Sequence, residues 1–182
     1  MSQTLKGAII CKSRYGATRQ YAEWLGDRMD LPIFDPDTDK PQLKDFDYLL
    51  IGSSVYMGNM LIKNWLAGHK HELGSKKILF FVVCATPDAE KDKQKKIATD
   101  NIPAGLLDDR SVFFLPGRLI INKLSWTDRL FLRLGAGLEK DPKKKAAMRH
   151  DMDGMDRRRL DPLIESAKAF IASQTQQHLA SV

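Results

Sequence analysis

A short segment rich in hydroxyl groups, Ser13 to Thr18, has the residue types and spacing that best suit an anionic ligand. Hydroxyls, successive backbone amides and the positive end of a following helix can together cradle a phosphate. The segment lacks the spaced glycines of a dinucleotide fingerprint and the Gly-Lys-Ser/Thr of a Walker A loop, so a monophosphate fits better. A strand-to-helix turn capped by Ser and Thr is the alternative interpretation. The candidate ligand residues are Ser13, Arg14, Tyr15, Gly16, Ala17 and Thr18.

Two further segments combine small residues with an aromatic ring or with backbone amides. In Ser53 to Gly58, Tyr56 could contact a flat ring and Gly58 could change its peptide orientation, although the segment also reads as a helix start. Ala85 to Asp88 could line the other side of a ring, although it also reads as a plain turn. The candidate residues here are Ser53, Ser54, Val55, Tyr56, Met57, Gly58, Ala85, Thr86, Pro87 and Asp88.

Alternating strands and helices would place these three segments at one edge of a sheet. The predicted strands are Leu5–Cys11, Leu31–Phe34, Asp47–Ser53, Lys77–Cys84 and Ser111–Leu115, and the predicted helices include Leu61–Leu73, Glu90–Thr99 and a last helix with its N-cap at Asp161. Continuous apolar strands need helices on both faces, so we predict an α/β fold with a doubly wound, five-stranded parallel sheet. Ligands of such sheets bind beyond the carboxyl ends of the strands, which is where the three segments lie.

Size and composition favour one ordinary globular domain. With 182 residues, 43% hydrophobic and 29% charged, the chain is predicted to form a single domain over residues 1–182. Two cysteines in apolar runs argue against a secreted disulfide framework. Met1 to Lys6 does not resemble a signal peptide, and no apolar stretch approaches the roughly 20 residues that span a bilayer. We therefore expect a cytoplasmic protein.

The net charge of +6 is concentrated in one segment, residues 117–150, which we call the insert. It contains nine basic and three acidic residues, whereas the rest of the chain is balanced. A helix is predicted to begin after Ser125, with Asp128 completing a weak capping box. Apolar residues line one face of this helix at spacing four, and the charge continues into Lys143–Lys145. These apolar residues are Trp126, Leu130, Leu134 and Leu138, with Phe131 beside them.

Three interpretations of the insert remain open from the residues alone. The apolar face could pack on the domain or on a second subunit, which would make the chain a homo-oligomer. It could rest on an anionic membrane surface, to which each Lys or Arg contributes about 1 kcal/mol. It could also close over a carboxylated substrate, with arginines pairing to the acid groups. The candidate substrate or membrane contacts are Arg118, Trp126, Arg129 and Arg133.

At these residues the sequence resembles the flavodoxin-like proteins, and within them the quinone-dependent protoporphyrinogen dehydrogenases of haem synthesis. Ser13 to Thr18 resembles the flavodoxin loop that holds the phosphate of FMN, with Tyr15 in its variable place. Gly52 to Gly58, the insert after Gly117, and the Trp-Thr-Asp-Arg of 126–129 resemble the dehydrogenases more than plain flavodoxins. The Tyr-Thr-Asp-Trp run that this family often has before its last helix is replaced by His150 to Asp156.

The resemblance implies a strand order of 2-1-3-4-5, a bound FMN and oxidation of protoporphyrinogen IX with a quinone as acceptor. The flavin would do the chemistry, since no side chain stands out as an acid or base. Tetrapyrrole and quinone would be the partners, with a peripheral contact on the cytoplasmic face of the membrane. An electron carrier that docks an acidic redox partner through the basic insert is the alternative, and an interaction module without flavin is a third.

Nucleic acid and metal are not predicted as ligands. The aromatic residues fall mostly in predicted core strands, and the sequence contains no recognised nucleic-acid module. His69 and His71 lie two residues apart on a predicted helix, which puts them on different faces. Cys11 and Cys84 lack charged neighbours that would activate them, and both are expected to be buried.

Overall fold

The structure, a computed structural model, describes residues 5–138, 140–142, 145 and 150–180. Its strands are β1 (Gly7–Lys12), β2 (Ile33–Phe34), β3 (Tyr48–Tyr56), β4 (Asn59–Met60), β5 (Lys77–Cys84), β6 (Val112–Pro116), β7 (Arg118–Leu119) and β8 (Met152–Asp153). Its helices are α1 (Ala17–Met29), α2 (Lys63–Gly68), α3 (Lys70–Leu73), α4 (Lys91–Asn101), α5 (Trp126–Leu138) and α6 (Asp161–Ala180). Lys143 and Lys144 lie outside the described residues.

The main sheet has the order β2-β1-β3-β5-β6, and all of these pairs are parallel. These are the five predicted strands in the predicted order, so the doubly wound parallel sheet is confirmed. A sixth strand, β4, was not predicted and pairs antiparallel with the end of β3. The turn between them is Met57-Gly58, and both residues have positive φ, of 48° and 78°. Two such residues are typical of a tight hairpin turn.

Helices cover both faces of the sheet because successive strand residues point to opposite sides. On one face, Ile9 and Leu50 pack with residues of α1 and α6. On the other face, the next residues along the same strands, Ile10 and Ile51, pack with residues of α2, α3 and α4. The predicted helix cover on both faces is thereby confirmed, and the apolar strands form one cluster of buried residues on each face.

Two helices differ from the prediction. Leu61–Leu73 is not one helix, because α2 ends at Gly68 and α3 begins at Lys70. His69 lies between them, with its ring stacked on that of Trp65 at 4.5 Å. Asp161 is the first residue of α6 and not its N-cap, because a 3-10 turn capped by Asp156 precedes it.

The insert leaves the sheet after β6 and contains the predicted helix. The two short strands before and after this helix, β7 and β8, pair antiparallel, with Leu119 opposite Met152. The helix α5 begins at Trp126, and its N-terminal end is capped by Ser125, whose Oγ accepts a hydrogen bond from the Asp128 backbone N–H at 3.2 Å. Within the described residues, no helix is long and apolar enough to cross a membrane.

Candidate functional site

A cleft of about 660 Å³ opens at the carboxyl edge of the sheet. Its floor comes from the ends of β5 and β6, and one side comes from the three segments that follow β1, β3 and β5. These segments are the phosphate loop, Ser13–Thr18, and the two ring loops, Ser53–Gly58 and Ala85–Asp88. The parallel sheet thus brings together the three candidate segments of the sequence. The candidate residues that line the cleft are Ser13, Arg14, Tyr15, Ala17, Thr18, Ser54, Val55, Tyr56, Met57, Ala85, Thr86, Pro87 and Asp88.

The phosphate loop leaves several donors without protein partners. Gly16 precedes α1 with a φ of +85°, and no side chain caps the start of this helix. The Oγ of Ser13 accepts a hydrogen bond from the Gly16 N–H at 3.1 Å, which shapes the loop. Thr18 is fully buried, and its Oγ1 has no hydrogen-bond partner. An unpaired buried hydroxyl is costly, so this arrangement favours an anion that would accept from it and from the free amides of the helix end.

The ring loops are formed by strand ends. β3 continues through Ser54, Val55 and Tyr56, where the sequence suggested a loop. Ser54 Oγ is buried without a hydrogen-bond partner, like Thr18 Oγ1. By contrast, Ser53 lies outside the lining because its Oγ donates to the Ser54 carbonyl and accepts from the Ile62 N–H. Gly16 and Gly58 also lie outside the lining and act through the turns that they form.

The insert also contributes to the lining of the cleft. From α5, Asp128, Phe131, Leu132 and Gly135 line it, and we call these four residues the insert wall. Leu119, Leu124 and Met152 extend the apolar surface, and Arg118 lies among them, half-buried. Arg118 Nη1 is 3.9 Å from Asp153 Oδ2. The insert therefore adds mainly apolar residues to the polar groups of the loops.

Asp128 joins the insert wall to two of the loops. Its side chain is 6% exposed and accepts hydrogen bonds from three side chains. Tyr56 Oη donates to Oδ1 at 2.6 Å, Arg14 Nη2 donates to Oδ2 at 2.9 Å, and Tyr15 Oη also donates to Oδ2. Burial alone would raise the pKa of Asp128, but the hydrogen bonds from Tyr15, Tyr56 and Arg14 outweigh it and lower the pKa to about 2. The predicted capping box is therefore only half formed, since this carboxylate serves the loops.

The apolar face of α5 points away from the domain. Trp126 is 76% exposed, Leu134 is 55% exposed and Leu138 is 84% exposed. Arg129 donates to the carbonyls of Leu124 and Asn122, so it fixes the turn before the helix. Arg133 is exposed. Packing of this face on the chain's own domain is thereby excluded for the described residues, while a second subunit and a membrane remain open.

Three other groups decide what acid or base chemistry the cleft can do. A hydrogen bond from Arg159 lowers the pKa of Asp88, and burial raises the pKa of Cys84. The hydrogen bond to Asp128 raises the pKa of Tyr56. All of these shifts lead away from neutrality, as does that of Asp128. Such groups keep one protonation state near pH 7, so they orient a ligand better than they transfer protons.

Sequence reasoning missed several residues of the cleft. It places Phe131 beside the apolar face of a helix, and it gives no role in a site to Leu132 or Met152. Arg159 lies 71 positions from Asp88, yet its Nη1 donates to Asp88 Oδ2 at 2.6 Å. The one available signal was Asp128, an acidic residue three positions after Ser125, and its spacing suggested a cap instead of a long-range contact.

The donors of the cleft fit FMN, which has one phosphate and one flat ring system. The unpaired Thr18 hydroxyl and the uncapped helix end suit the phosphate. The unpaired Ser54 hydroxyl lies on the next strand, where Tyr56 and the small Ala85 flank the cleft and suit a polar ring with two apolar faces. Among the described residues, no group of three or more His, Cys, Asp or Glu could hold a metal ion.

The chain is similar to several proteins of known structure. Among solved structures, a flavodoxin, WrbA-like protein from Agrobacterium tumefaciens has 17% identity and a TM-score of 0.46 over 70% of this chain and 92% of that one. A flavoprotein in complex with FMN from Lactobacillus acidophilus has 17% identity and a TM-score of 0.43 over 62% and 91%. A flavodiiron protein from Giardia intestinalis has 15% identity and a TM-score of 0.46 over 79% and 36%. No curated protein matches the sequence. The family model of the flavodoxin domain matches residues 8–146, most of the sheet and the insert, and the chain therefore belongs to the flavodoxin domain family, whose cofactor is FMN.

Proposed function

We propose that this protein is an FMN-dependent dehydrogenase that oxidises protoporphyrinogen IX to protoporphyrin IX and passes the electrons to a quinone. The observation behind this proposal is the insert wall, which lines the same cleft as the phosphate loop and the ring loops. An electron carrier needs only an accessible flavin edge, whereas a dehydrogenase must hold its substrate against the ring. The mainly apolar residues that the insert adds to the cleft suit a large flat substrate.

In this proposal the chain's residues bind and orient. Thr18 and the start of α1 would hold the phosphate, and Ser54 would donate to the ring system. Phe131 and Leu132 would contact the faces of the tetrapyrrole and exclude water from them. The half-buried Arg118 would pair with a propionate of the substrate. FMN, when bound, would supply a two-electron acceptor, so the six-electron oxidation of the substrate would take three turnovers and three quinone molecules.

The exposed apolar face of α5 suggests that the protein would take up the quinone at a membrane surface. Its exposed apolar residues are Trp126, Leu130, Phe131, Leu134 and Leu138. Lys123 and Arg133, both exposed, lie close to them in the sequence. Apolar residues with basic neighbours are typical of helices that lie in the surface of an anionic bilayer. Two copies of this face would bring like charges together, so we favour a peripheral contact with the cytoplasmic face of a membrane over a dimer.

The test of the dehydrogenase is anaerobic addition of protoporphyrinogen IX to the FMN-loaded protein, followed by the visible absorbance of the flavin. We expect the flavin band to bleach, and a quinone to restore it. A flavin that stays oxidised would contradict the proposal that a tetrapyrrole is the substrate.

Two glycines of α5 give a matched pair of variants for this test. Gly135 lines the cleft, whereas a Cβ added at Gly137 would meet no heavy atom within 4 Å. Gly135→Leu should narrow the cleft and slow bleaching by protoporphyrinogen about tenfold or more, while bleaching by dithionite is unchanged. Gly137→Leu should behave like the parent protein. Equal rates for both variants would place the substrate elsewhere.

The membrane contact has its own test, sedimentation with vesicles. We expect binding to vesicles of phosphatidylglycerol and phosphatidylcholine, and much weaker binding to phosphatidylcholine alone. The double variant Leu134→Ser and Leu138→Ser should lose vesicle binding but keep FMN, because both side chains are exposed. Vesicle binding that is unchanged in this variant would contradict a contact through α5.

An electron carrier is the second candidate, and the exposure of Lys123 and Arg133 favours it. These cations could dock an acidic redox partner through attraction that salt screens. Salt-dependent binding of an acidic protein, together with a flavin that protoporphyrinogen does not reduce, would support this candidate over the dehydrogenase.

A further inference from the structure

The strongest unassigned feature of the chain is the buried carboxylate of Asp128. It belongs to the insert, yet its three side-chain donors all belong to the phosphate loop and the first ring loop. Arg14 and Tyr15 come from the loop after β1, and Tyr56 comes from the end of β3. One side chain thus connects α5 to two of the three segments that would surround FMN.

We propose that Asp128 is a positioning residue that couples the insert to the FMN site, so that bound FMN stabilises α5 over the cleft and α5 in turn strengthens FMN binding. This inference depends on FMN binding and is independent of the substrate proposed above. It also assigns Arg14, Tyr15 and Tyr56 a second role, because their polar atoms face a carboxylate of the insert.

The geometry commits each of these polar groups to the carboxylate. The guanidinium carbon of Arg14 lies 4.1 Å from the centre of the Tyr56 ring, while its Nε and Nη2 donate to Asp128 Oδ2 at 3.1 and 2.9 Å. Arg14 is therefore held between an aromatic face and an anion, both favourable for a cation. Its charge is used to hold the insert, whereas the free Thr18 hydroxyl and the helix end remain for the phosphate.

The position of Asp128 on α5 adds to its stability as an anion. It is the third residue of the helix, and acidic residues in a first helical turn interact favourably with the helix dipole. A neutral side chain there would lose that interaction and the ion pair with Arg14. It would also leave two tyrosine hydroxyls and a guanidinium facing a weaker acceptor.

The FMN site and the insert would be coupled because the same loop residues contact both the cleft and Asp128. Arg14, Tyr15 and Tyr56 line the cleft and also bind Asp128. Bound FMN would fix the conformation of these loops, and it would thereby hold their donors in the positions from which they bond to Asp128. By linkage, an insert held by Asp128 must increase the affinity for that ligand by the same factor.

The experiment measures hydrogen exchange in peptides of 126–138, with and without saturating FMN, and the dissociation constant of FMN by fluorescence quenching. The variants are Asp128→Asn, which keeps the shape and removes the charge, and Asp27→Asn as a control, because Asp27 is exposed on α1. In the parent protein and in the control, FMN should slow exchange across α5. In Asp128→Asn this FMN-dependent protection should be lost, and the dissociation constant should rise about tenfold, within the range usual for coupled sites.

Two results would overturn the inference. One is equal FMN-dependent protection of α5 in Asp128→Asn and in the parent protein, and the other is an unchanged dissociation constant. A general loss of stability is recognised from exchange in β3 and β5, which should stay slow in Asp128→Asn. Asp128→Glu keeps the charge and should recover part of the protection, whereas no recovery at all would also count against a role for the charge.

The same data separate this inference from the proposed function. No porphyrinogen is used, so coupling between FMN and α5 can hold even when the flavin is never reduced by a tetrapyrrole. Conversely, a tetrapyrrole can reduce the flavin in a protein whose insert exchanges independently of FMN.

Discussion

The loop side and the insert side of the cleft are built in opposite ways. The phosphate loop and the ring loops are ends of buried strands, and their unpaired polar atoms lie inside the protein. The insert wall belongs to a helix whose most apolar side chains are exposed, with Trp126 at 76% and Leu138 at 84%. Its one buried charge, Asp128, is also the group that joins it to the loops. The strand ends thus form the cofactor site itself, whereas the insert is joined to that site through the polar contacts of Asp128.

Leucines from the two regions provide the largest contrast. Leu50 is fully buried in β3, whereas Leu134 is 55% exposed on α5. Leu50→Ala should lower the free energy of unfolding by about 2–5 kcal/mol because it leaves a cavity. Leu134→Ala should change it by less than about 0.5 kcal/mol. Urea denaturation of both variants measures this, and a large loss for Leu134→Ala would show that α5 packs on an apolar surface in solution.

Removal of the unpaired hydroxyl of Thr18 should have opposite effects on stability and on binding. Thr18→Val replaces a buried donor that lacks a partner by a methyl group, so the FMN-free protein should be equally stable or more stable. Its affinity for FMN should fall about 10- to 100-fold, because a hydrogen bond to a charged phosphate is lost. Thr99→Val, at an exposed position of α4, is the control. Unchanged FMN affinity in Thr18→Val would show that the phosphate does not bind at the start of α1.

Acid should break the contact between the insert and the loops only near pH 2. The pKa of Asp128 is lowered from 3.8 to about 2, so its ionised form stabilises the folded protein above pH 4, and this contribution is lost as pH falls toward 2. NMR signals of α5 amides should therefore be constant from neutrality to about pH 3 and change as the pH approaches 2. In Asp128→Asn this acid-induced change should be absent. An identical change in the variant would assign it to another group.

The smallest expected effect concerns the reactivity of the two thiols in the sheet, those of Cys11 and Cys84. Burial raises the pKa of Cys11 to about 11 and also raises that of Cys84. At pH 8 both should therefore remain protonated and react with a disulfide reagent only after the protein unfolds. Fast reaction in the native protein would mean that the ends of β1 or β5 open readily.

The sheet and its loops could be predicted from the sequence, whereas the contacts of the insert could not. The sheet followed from apolar runs such as that of Lys77–Cys84, and the three loops followed from the rule that parallel strands bind ligands at their carboxyl ends. Local signals also gave α5, through Ser125 and the spacing of its leucines. The hairpin at Met57 was missed because a methionine with positive φ has no sequence signature.

The contacts of Asp128 and Arg159 were missed for a different reason. Each connects segments that are far apart in the chain, and a charged residue on a helix gives no sign of the tertiary partner that it meets. The direction of α5 does not follow from the sequence either. Its apolar spacing predicts one apolar face but does not determine whether that face turns inward or outward.

FMN bound by the loops should also affect the insert wall through Asp128, and amide NMR spectra recorded during FMN titration test this prediction directly. We predict shifts in two separate groups of signals, residues 16–18, 54–57 and 85–88 of the loops, and residues 128–135 of α5. Shifts confined to the loops, with α5 unaffected at saturation, would contradict this coupling and leave the insert outside the chemistry of the flavin.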